Sequence, residues 1–266
     1  MRVNILKGTY LEFKKMKKKK VLIIALLFTL VTIVWTMAVS NNFYSRGETS
    51  PSDMWLYGLT SIAQINALLS PIFLSITASK VSEIEHRGAT LKILLTRQSR
   101  ANLYLSKFVY CEIVATLCTL VQFLGFIAAT YFSDFFEAVP FSLMIQSILA
   151  VIIVNTMLIA IFLLVCISIK NQVYGVGSGL LLGLLGIISM LFPRNIAMFI
   201  PSYYYMDLIP ARMIMGTKRI TGFEVLPFDL GTIGIVMVFS LFLIVVGLMF
   251  FNRKEVYNML FRCIKS

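Results

Sequence analysis

Six stretches of this sequence contain no Asp, Glu, Lys or Arg, and each is long enough to cross a lipid bilayer: 21–39, 54–79, 113–133, 138–169, 171–193 and 230–252. A helix rises about 1.5 Å per residue, so a hydrocarbon core of about 30 Å requires about 20 apolar residues. These stretches and their connections use most of the 266 residues, of which only 14% are charged. We therefore predict an all-α polytopic membrane protein with six transmembrane helices in a single domain, residues 1–266.

Most of the basic residues fall on one side of this six-helix topology. Of the 24 Lys and Arg residues, 19 lie in 1–20, in 80–107, at Lys170 or in the tail after 252. Positively charged loops stay in the cytoplasm, so both termini and the 80–107 segment are predicted to be cytoplasmic. We interpret the four lysines at 17–20 as an anchor on anionic membrane lipid, and we predict no binding to nucleic acid.

The first twenty residues are predicted to form a basic amphipathic helix that lies in the cytoplasmic interface of the membrane. Leu6, Tyr10 and Phe13 recur at helical spacing, and lysines occupy the other sides of the helix. A disordered basic tail is the alternative interpretation.

The outer segment 193–230 contains four prolines, so one continuous helix cannot run through it. It is also rich in apolar and aromatic residues, including three consecutive tyrosines at 203–205. Long structureless loops are uncommon, and irregular backbone inside a membrane must be covered by protein. We therefore predict a re-entrant segment of short helices that enter the outer leaflet.

No motif for catalysis or metal binding occurs in the 266-residue sequence. The sequence contains no G-x-x-x-x-G-K-[ST] phosphate loop, its one histidine is His86, and its four cysteines lack metal-ligand spacing. Glu112 is the one acidic residue that falls within a span, and it follows Lys107 closely, so we predict an interfacial carboxylate paired with Lys or Arg. We predict no enzymatic activity, no metal and no cofactor bound by this chain.

Two groups of residues within the spans have more than one interpretation. The first comprises amides that either line a translocation path or form hydrogen bonds between helices: Gln64, Asn66, Gln122 and Asn155. The second is a face of small residues that recur every four positions, Gly175, Gly179 and Gly183, followed by Gly186. Such a face lets another backbone approach closely, either from a helix of the same chain or from a second subunit.

The cytoplasmic segment 80–107 is charged, yet Leu91, Leu94 and Leu95 recur at helical spacing, which predicts an ordered amphipathic helix. From Glu85 onward it carries an acidic residue, a small-Thr pair, a Leu-Leu pair and a Ser-Arg before a third span that begins at Lys107. This pattern resembles the membrane subunit of type-2 ABC exporters, and the likeness of topology extends over nearly the whole chain. In that family the segment includes the coupling helix, which docks into the ATPase subunit. The resemblance implies ATPase-coupling roles for Glu83, Glu85, Arg87, Gly88, Thr90, Lys92, Arg97 and Arg100.

The resemblance also implies partners and a cargo. The partners would be an ATPase dimer that binds ATP and Mg²⁺, a second identical or related permease chain, and membrane lipid. In size and pattern the chain is most similar to permeases for lantibiotic self-immunity, bacitracin resistance and toxin-peptide export, which implies an amphipathic peptide cargo at a bacterial plasma membrane. The alternatives are a secondary transporter or channel that needs no ATPase, and a membrane enzyme or assembly scaffold.

Overall fold

The computed structural model describes residues 4–17, 19–45, 53–86, 99–133, 138–169, 171–215 and 220–263, and leaves out the side chains at 84–86, 215, 220–221 and 252–263. In chain order, the long helices are α1 (Ile5–Lys17), α2 (Val21–Ser45), α3 (Met54–His86), α4 (Arg100–Thr130), α5 (Phe141–Ser168) and α6 (Gln172–Ile188). The outer segment follows, with α7 (Arg194–Ala197), α8 (Tyr204–Asp207) and the strands β1 (Ala211–Met215) and β2 (Ile220–Val225). The helix α9 (Leu230–Cys263) comes last.

Within these ranges, six helices have the length and composition to cross a membrane: α2, α3, α4, α5, α6 and α9. This confirms the predicted six-span, all-α membrane architecture. The most apolar window of α3 is 72% buried, whereas that of α9 is 22% buried. Because α3 packs against α2, α4, α5, α6 and the outer segment, it is the central helix of the bundle.

The helix α2 turns small polar residues inward and large apolar residues outward. Thr29, Thr32 and Thr36 are buried, and each hydroxyl donates to a backbone carbonyl of the same helix at 2.8 Å. Its exposed side consists of large apolar residues such as Leu26 and Leu30. Helices in lipid gain little from burying apolar side chains, so small residues at the contact and apolar residues toward lipid are the expected arrangement.

Both ends of the 80–107 segment belong to transmembrane helices. Residues 80–86 continue α3 by two turns beyond the uncharged stretch, and α4 already begins at Arg100. Ser99 caps α4 by accepting a hydrogen bond from the Asn102 backbone N–H at 3.3 Å. The predicted amphipathic helix around Leu91–Leu95 lies outside the described residues.

The outer segment differs in part from the sequence-based prediction. Its first half forms short helices as predicted, but Ala211–Met215 and Ile220–Val225 pair as antiparallel strands that were not predicted, and we call this pair the hairpin. Arg212 pairs with Glu224 in register, and Phe223 meets Tyr57 of α3 with ring centroids 5.8 Å apart. The helical part ends at Asp207, before Pro210, and Ile220–Val225 contains β-branched and aromatic residues of the kind that strands favour.

Candidate functional site

The ends of α1, α3 and α4 on the side predicted to be cytoplasmic meet around a buried lysine. Lys107, in the second turn of α4, is 1% exposed, and its Nζ donates a hydrogen bond to the Val81 carbonyl of α3 at 2.7 Å. The Glu12 carboxylate of α1, also 1% exposed, lies 3.9 Å from the same Nζ and accepts a hydrogen bond from Lys15 at 2.7 Å. We call Glu12, Lys15, Val81 and Lys107 the cytoplasmic junction. Charges this deeply buried are tolerated only when they are paired, so the junction fixes three helices to one another.

A second set of contacts joins the α1–α2 turn to α3 beside this junction. Lys19 Nζ lies 3.6 Å from the Glu83 carboxylate, and Lys80 donates a hydrogen bond to the Lys19 carbonyl at 3.2 Å. Lys20 has φ = 57°, in the left-handed region that costs a residue with a side chain about 1 kcal/mol. The contacts from Lys80 and Glu83 of α3 therefore stabilise the α1–α2 turn in a backbone conformation that is unfavourable for Lys20 by itself.

The predicted ATPase-coupling residues divide into a described and an undescribed group. Glu83 lies near the end of α3 and faces the α1–α2 turn, and Arg100 is the first residue of α4. Glu85 lies in the last turn of α3, without a described side chain. Outside the described residues lie the remaining five, Arg87, Gly88, Thr90, Lys92 and Arg97. The cytoplasmic junction sits where the chain enters and leaves this segment.

Three of the four amides predicted for a path are engaged in hydrogen bonds between helices. Asn66 of α3 and Gln122 of α4 exchange two amide hydrogen bonds, at 3.2 and 3.0 Å. Asn155 of α5 donates to the Thr119 hydroxyl of α4 at 3.2 Å and accepts from the Tyr205 hydroxyl of α8. All of these side chains are buried, so their geometry corresponds to the inter-helix alternative.

Glu112 has a different partner from the one predicted. Among the described residues, its carboxylate accepts a hydrogen bond from the Thr156 hydroxyl of α5 at 2.9 Å, and its second oxygen is buried without a hydrogen bond. Thr156 lies near the midpoint of α5, which places Glu112 deeper than the cytoplasmic interface. The prediction of a Lys or Arg partner was wrong because α4 begins at Arg100, so Lys107 is already inside the protein and points to α3.

The glycine face of α6 is covered by α3 of the same chain. A Cβ added at Gly179 would overlap Ser75 and the Pro71 carbonyl, and one added at Gly183 would overlap the Leu68 carbonyl. Pro71 has no N–H to donate to the Ala67 carbonyl, which lies against Gly186 instead. Gly175 likewise sits against Cys166 and Ser79. The glycines therefore serve packing within the chain, and a contact with a second subunit would have to use another face.

The fourth predicted amide, Gln64, lines a cavity of about 270 Å³ between α3 and the outer segment, which we call the outer cavity. Its walls combine methionines and small apolar residues with polar groups: Thr60, Ala63, Gln64, Met190, Tyr203, Met206, Asp207, Ala211, Arg212, Met213 and Leu226. The cavity is thus amphipathic and joins the central helix to the hairpin.

An ionic cluster supports one wall of the outer cavity. Arg194 donates to Asp207 at 3.1 Å and to Asp229 at 3.3 Å, and the Tyr203 hydroxyl donates to Asp207 at 3.0 Å. Burial, followed by the neighbouring Asp207 carboxylate, raises the pKa of Tyr203 to about 12, so its hydroxyl remains a donor. Hydrogen bonds from the Thr232 hydroxyl and backbone N–H hold the pKa of Asp229 below its usual value.

Sequence reasoning did not single out Glu12 or Arg212, and it noted Tyr205 only as one of three consecutive tyrosines. It treated Lys107 as the start of a span and as a neighbour of Glu112. The sequence could have indicated the junction, because Glu12 is the one acidic residue among the first twenty and Lys107 directly precedes an apolar run. An isolated acid and an isolated base at the cytoplasmic ends of two helices are candidates for a pair. Arg212 and Tyr205 gave no comparable signal, because their partners depend on how the outer segment folds.

Comparison with known proteins adds one match. Residues 9–188 match the protein family described as ABC-2 family transporter protein. The matched region runs from α1 to the end of α6, and it contains the cytoplasmic junction and the glycine face. A search of curated proteins found no match to the chain.

Proposed function

This chain belongs to the ABC-2 family of transporter proteins, and from that premise we propose that it exports an amphipathic peptide with energy from a separate ATPase dimer. As a member of this family it is a multi-pass membrane permease subunit of the plasma membrane. Its sequence contains no phosphate loop, so ATP and Mg²⁺ are assigned to the partner ATPase. The complete exporter contains a second permease chain, identical or related.

The observation that carries the proposal is the cytoplasmic junction. The segment 87–98, which resembles a coupling helix, connects the end of α3 to the start of α4. Lys107 joins these two ends through the Val81 carbonyl, and Glu12 adds α1 to the same contact. Packed interiors transmit displacement rather than absorb it. A push on the coupling segment is therefore passed to three helices together, which is what a permease driven from outside the membrane requires.

The coupling role is tested by reconstituting the chain with its ATPase in proteoliposomes. Arg87→Ala is expected to reduce co-purification of the two subunits, because Arg87 lies in the segment assigned to docking. Glu12→Gln is expected to leave assembly intact and to lower the amount of peptide transported per ATP hydrolysed, because it weakens the junction behind the docking surface. Lys7→Gln, which removes an exposed charge from α1, is the matched control and is expected to change neither quantity.

Two results would contradict this assignment. Normal assembly of Arg87→Ala would remove the docking role, and normal transport per ATP by Glu12→Gln would remove the transmission role. The cargo is tested in the same vesicles with a fluorescent lanthionine peptide and with bacitracin. Stimulation of ATP hydrolysis by neither peptide, and uptake of neither, would reject the peptide cargo.

The ATPase-independent alternative rests on Glu112, an ionisable group inside the bundle. A carrier coupled to protons would move its cargo in vesicles that contain the permease alone and a pH gradient. We expect no uptake under that condition, because the hydrogen bonds of the described bundle connect Glu112 to Thr156 and to no second acid. Uptake driven by the gradient without nucleotide would favour the secondary transporter.

A further inference from the structure

The outer cavity contains hydrogen-bond donors that the described part of the chain does not use. Gln64 extends from α3 and Arg212 from β1, and both line the cavity. Neither side chain makes a hydrogen bond or an ion pair with a described residue, although Glu224 lies opposite Arg212 in the hairpin. The one acid in the lining, Asp207, is already neutralised by Arg194 and bonded to Tyr203. The cavity therefore offers an exposed cation and a partly buried amide donor for which the described residues supply no acceptor.

The cavity lies near the N-terminal end of α3, the central transmembrane helix. The helix α3 begins at Met54, so Thr60 and Gln64 lie about 9 and 15 Å along the helix from its outer end. Polar head-group layers occupy about 5–8 Å on each side of the hydrocarbon core. With Met54 at the outer edge of the head groups, Thr60 would lie close to their boundary with the acyl chains and Gln64 about 7–10 Å below it. The methionines of the cavity extend its apolar wall. Methionine side chains adapt to irregular apolar ligands.

We propose that the outer cavity binds the phosphate head and the adjoining apolar chain of an outer-leaflet lipid or lipid-like amphiphile. The Arg212 guanidinium donates two parallel hydrogen bonds to the phosphate, because its planar fork matches phosphate oxygens. The Gln64 amide donates a third hydrogen bond from α3. Met190, Met206 and Leu226 contact the first methylenes of the chain. Occupation of this site links the hairpin to the central helix.

Tryptophan quenching tests the proposal on the full-length chain. The sequence contains two tryptophans, Trp35 and Trp55, and Trp55 lies in the turn of α3 that precedes Thr60. In a Trp35→Phe background, brominated dodecyl phosphate is expected to quench Trp55 with a saturable dependence on concentration. Brominated dodecanol, which lacks the charge, and inorganic phosphate, which lacks the chain, provide the two comparison arms. Inorganic phosphate is scored by its competition with the brominated phosphate.

Substitutions in the cavity test which side chains donate hydrogen bonds to the phosphate. Arg212→Gln is expected to weaken binding of the alkyl phosphate by about tenfold to a hundredfold, because hydrogen bonds to a charged group are lost. Gln64→Leu is expected to weaken it by a few-fold, and Glu224→Gln to leave it unchanged or tighter. Arg212→Lys, which keeps the charge, should retain part of the affinity, and Lys7→Gln is the control at the opposite end of the protein.

Three outcomes would overturn the proposal. The first is equal quenching by the uncharged alcohol, which would mean that the phosphate is not recognised. The second is competition by inorganic phosphate as strong as that of the alkyl phosphate, which would mean that the apolar wall contributes nothing. The third is an unchanged affinity of Arg212→Gln while its helicity and elution profile match those of the parent.

Discussion

Replacing Gly186 by alanine tests whether α6 is held against α3 by backbone contact. The added Cβ would lie 2.5 Å from the Ala67 carbonyl oxygen and 2.8 Å from Ser202 Cβ. Real Cβ atoms essentially never approach another atom closer than 3.0 Å. The Ala67 oxygen belongs to the backbone of the central helix, so it cannot rotate away as a flexible side chain would.

The size of the effect follows from this overlap. Relief requires α6 to move from α3 by about 0.5–0.9 Å, and overpacking of this kind costs about 1–3 kcal/mol. Alanine also favours the helix over glycine by up to about 1 kcal/mol, which offsets part of that cost. The matched control is Gly177→Ala on the same helix, where the added Cβ meets nothing within 4 Å. Both variants gain the same helix preference, so their difference isolates the overlap, and we expect Gly186→Ala to be less stable by about 1–3 kcal/mol.

The measurement is reversible unfolding of the purified chain in mixed micelles by increasing fractions of sodium dodecyl sulfate, followed by circular dichroism. Gly177→Ala is expected to match or slightly exceed the parent in free energy of unfolding. The reasoning would be refuted if Gly186→Ala were as stable as Gly177→Ala, because α6 would then not rest on the Ala67 carbonyl.

Three further predictions concern paired polar groups. Lys107→Met should lower the free energy of unfolding by about 3–5 kcal/mol because Glu12 stays buried beside it, and Glu12→Leu in the same chain should recover part of that loss in the same titration. Tyr205→Phe should cost about 1–3 kcal/mol because it leaves the Asn155 oxygen without its donor, and it should cost little more when Asn155 is already leucine. Asp229 has a lowered pKa in the folded state, so its carboxylate adds stability above its unfolded pKa of about 3.9 and loses that contribution as the pH falls through the folded value. The stability difference between Asp229→Asn and the parent should therefore be present at pH 7 and vanish in a pH series that extends below about 4.

The spans could be predicted from sequence because the ability to cross the bilayer depends on the length and composition of each helix by itself. A stretch without charges either reaches across the hydrocarbon core or does not, and no knowledge of neighbouring helices is needed. The same reasoning fails at the ends of helices. Charge begins at Lys80, yet α3 continues to His86, because contacts with the α1–α2 turn replace lipid as its surroundings.

The hairpin was missed for a local reason. Its strands are only five and six residues long, and Ala211–Met215 carries an arginine between apolar residues with no clear alternation. Short strands of this kind become strands only when another strand pairs with them, and Ile220–Val225 supplies that partner. The position of Arg212 in the outer cavity follows from this pairing, so the sequence pattern alone could not predict that position.

The sequence also could not predict which residues the buried amides and the glycines contact, because those contacts join residues far apart in sequence. Asn66 and Gln122 are separated by 56 positions, and either amide alone is as suitable for a polar path as for an inter-helix bond. The glycine face had the same ambiguity. The structure resolves it because the Leu68 and Ala67 carbonyls of α3 lie so close to Gly183 and Gly186 that an added Cβ would overlap them.

The position of α3 connects the two sites of the molecule. Near its cytoplasmic end, the Val81 carbonyl receives Lys107, and near its outer end, Thr60 and Gln64 line the outer cavity. Between them, Gly183 and Gly186 of α6 lie against the Leu68 and Ala67 carbonyls of α3, and Gly179 lies against the Ser75 side chain. This close contact resists separation of α3 and α6, and sliding along the axis would have to move the Ser75 side chain past Gly179. Because the two helices are closely packed, a displacement of α3 at the cytoplasmic junction would carry α6 with it. Val81 and Gln64 lie on the same helix, so that displacement would also reach the wall of the outer cavity.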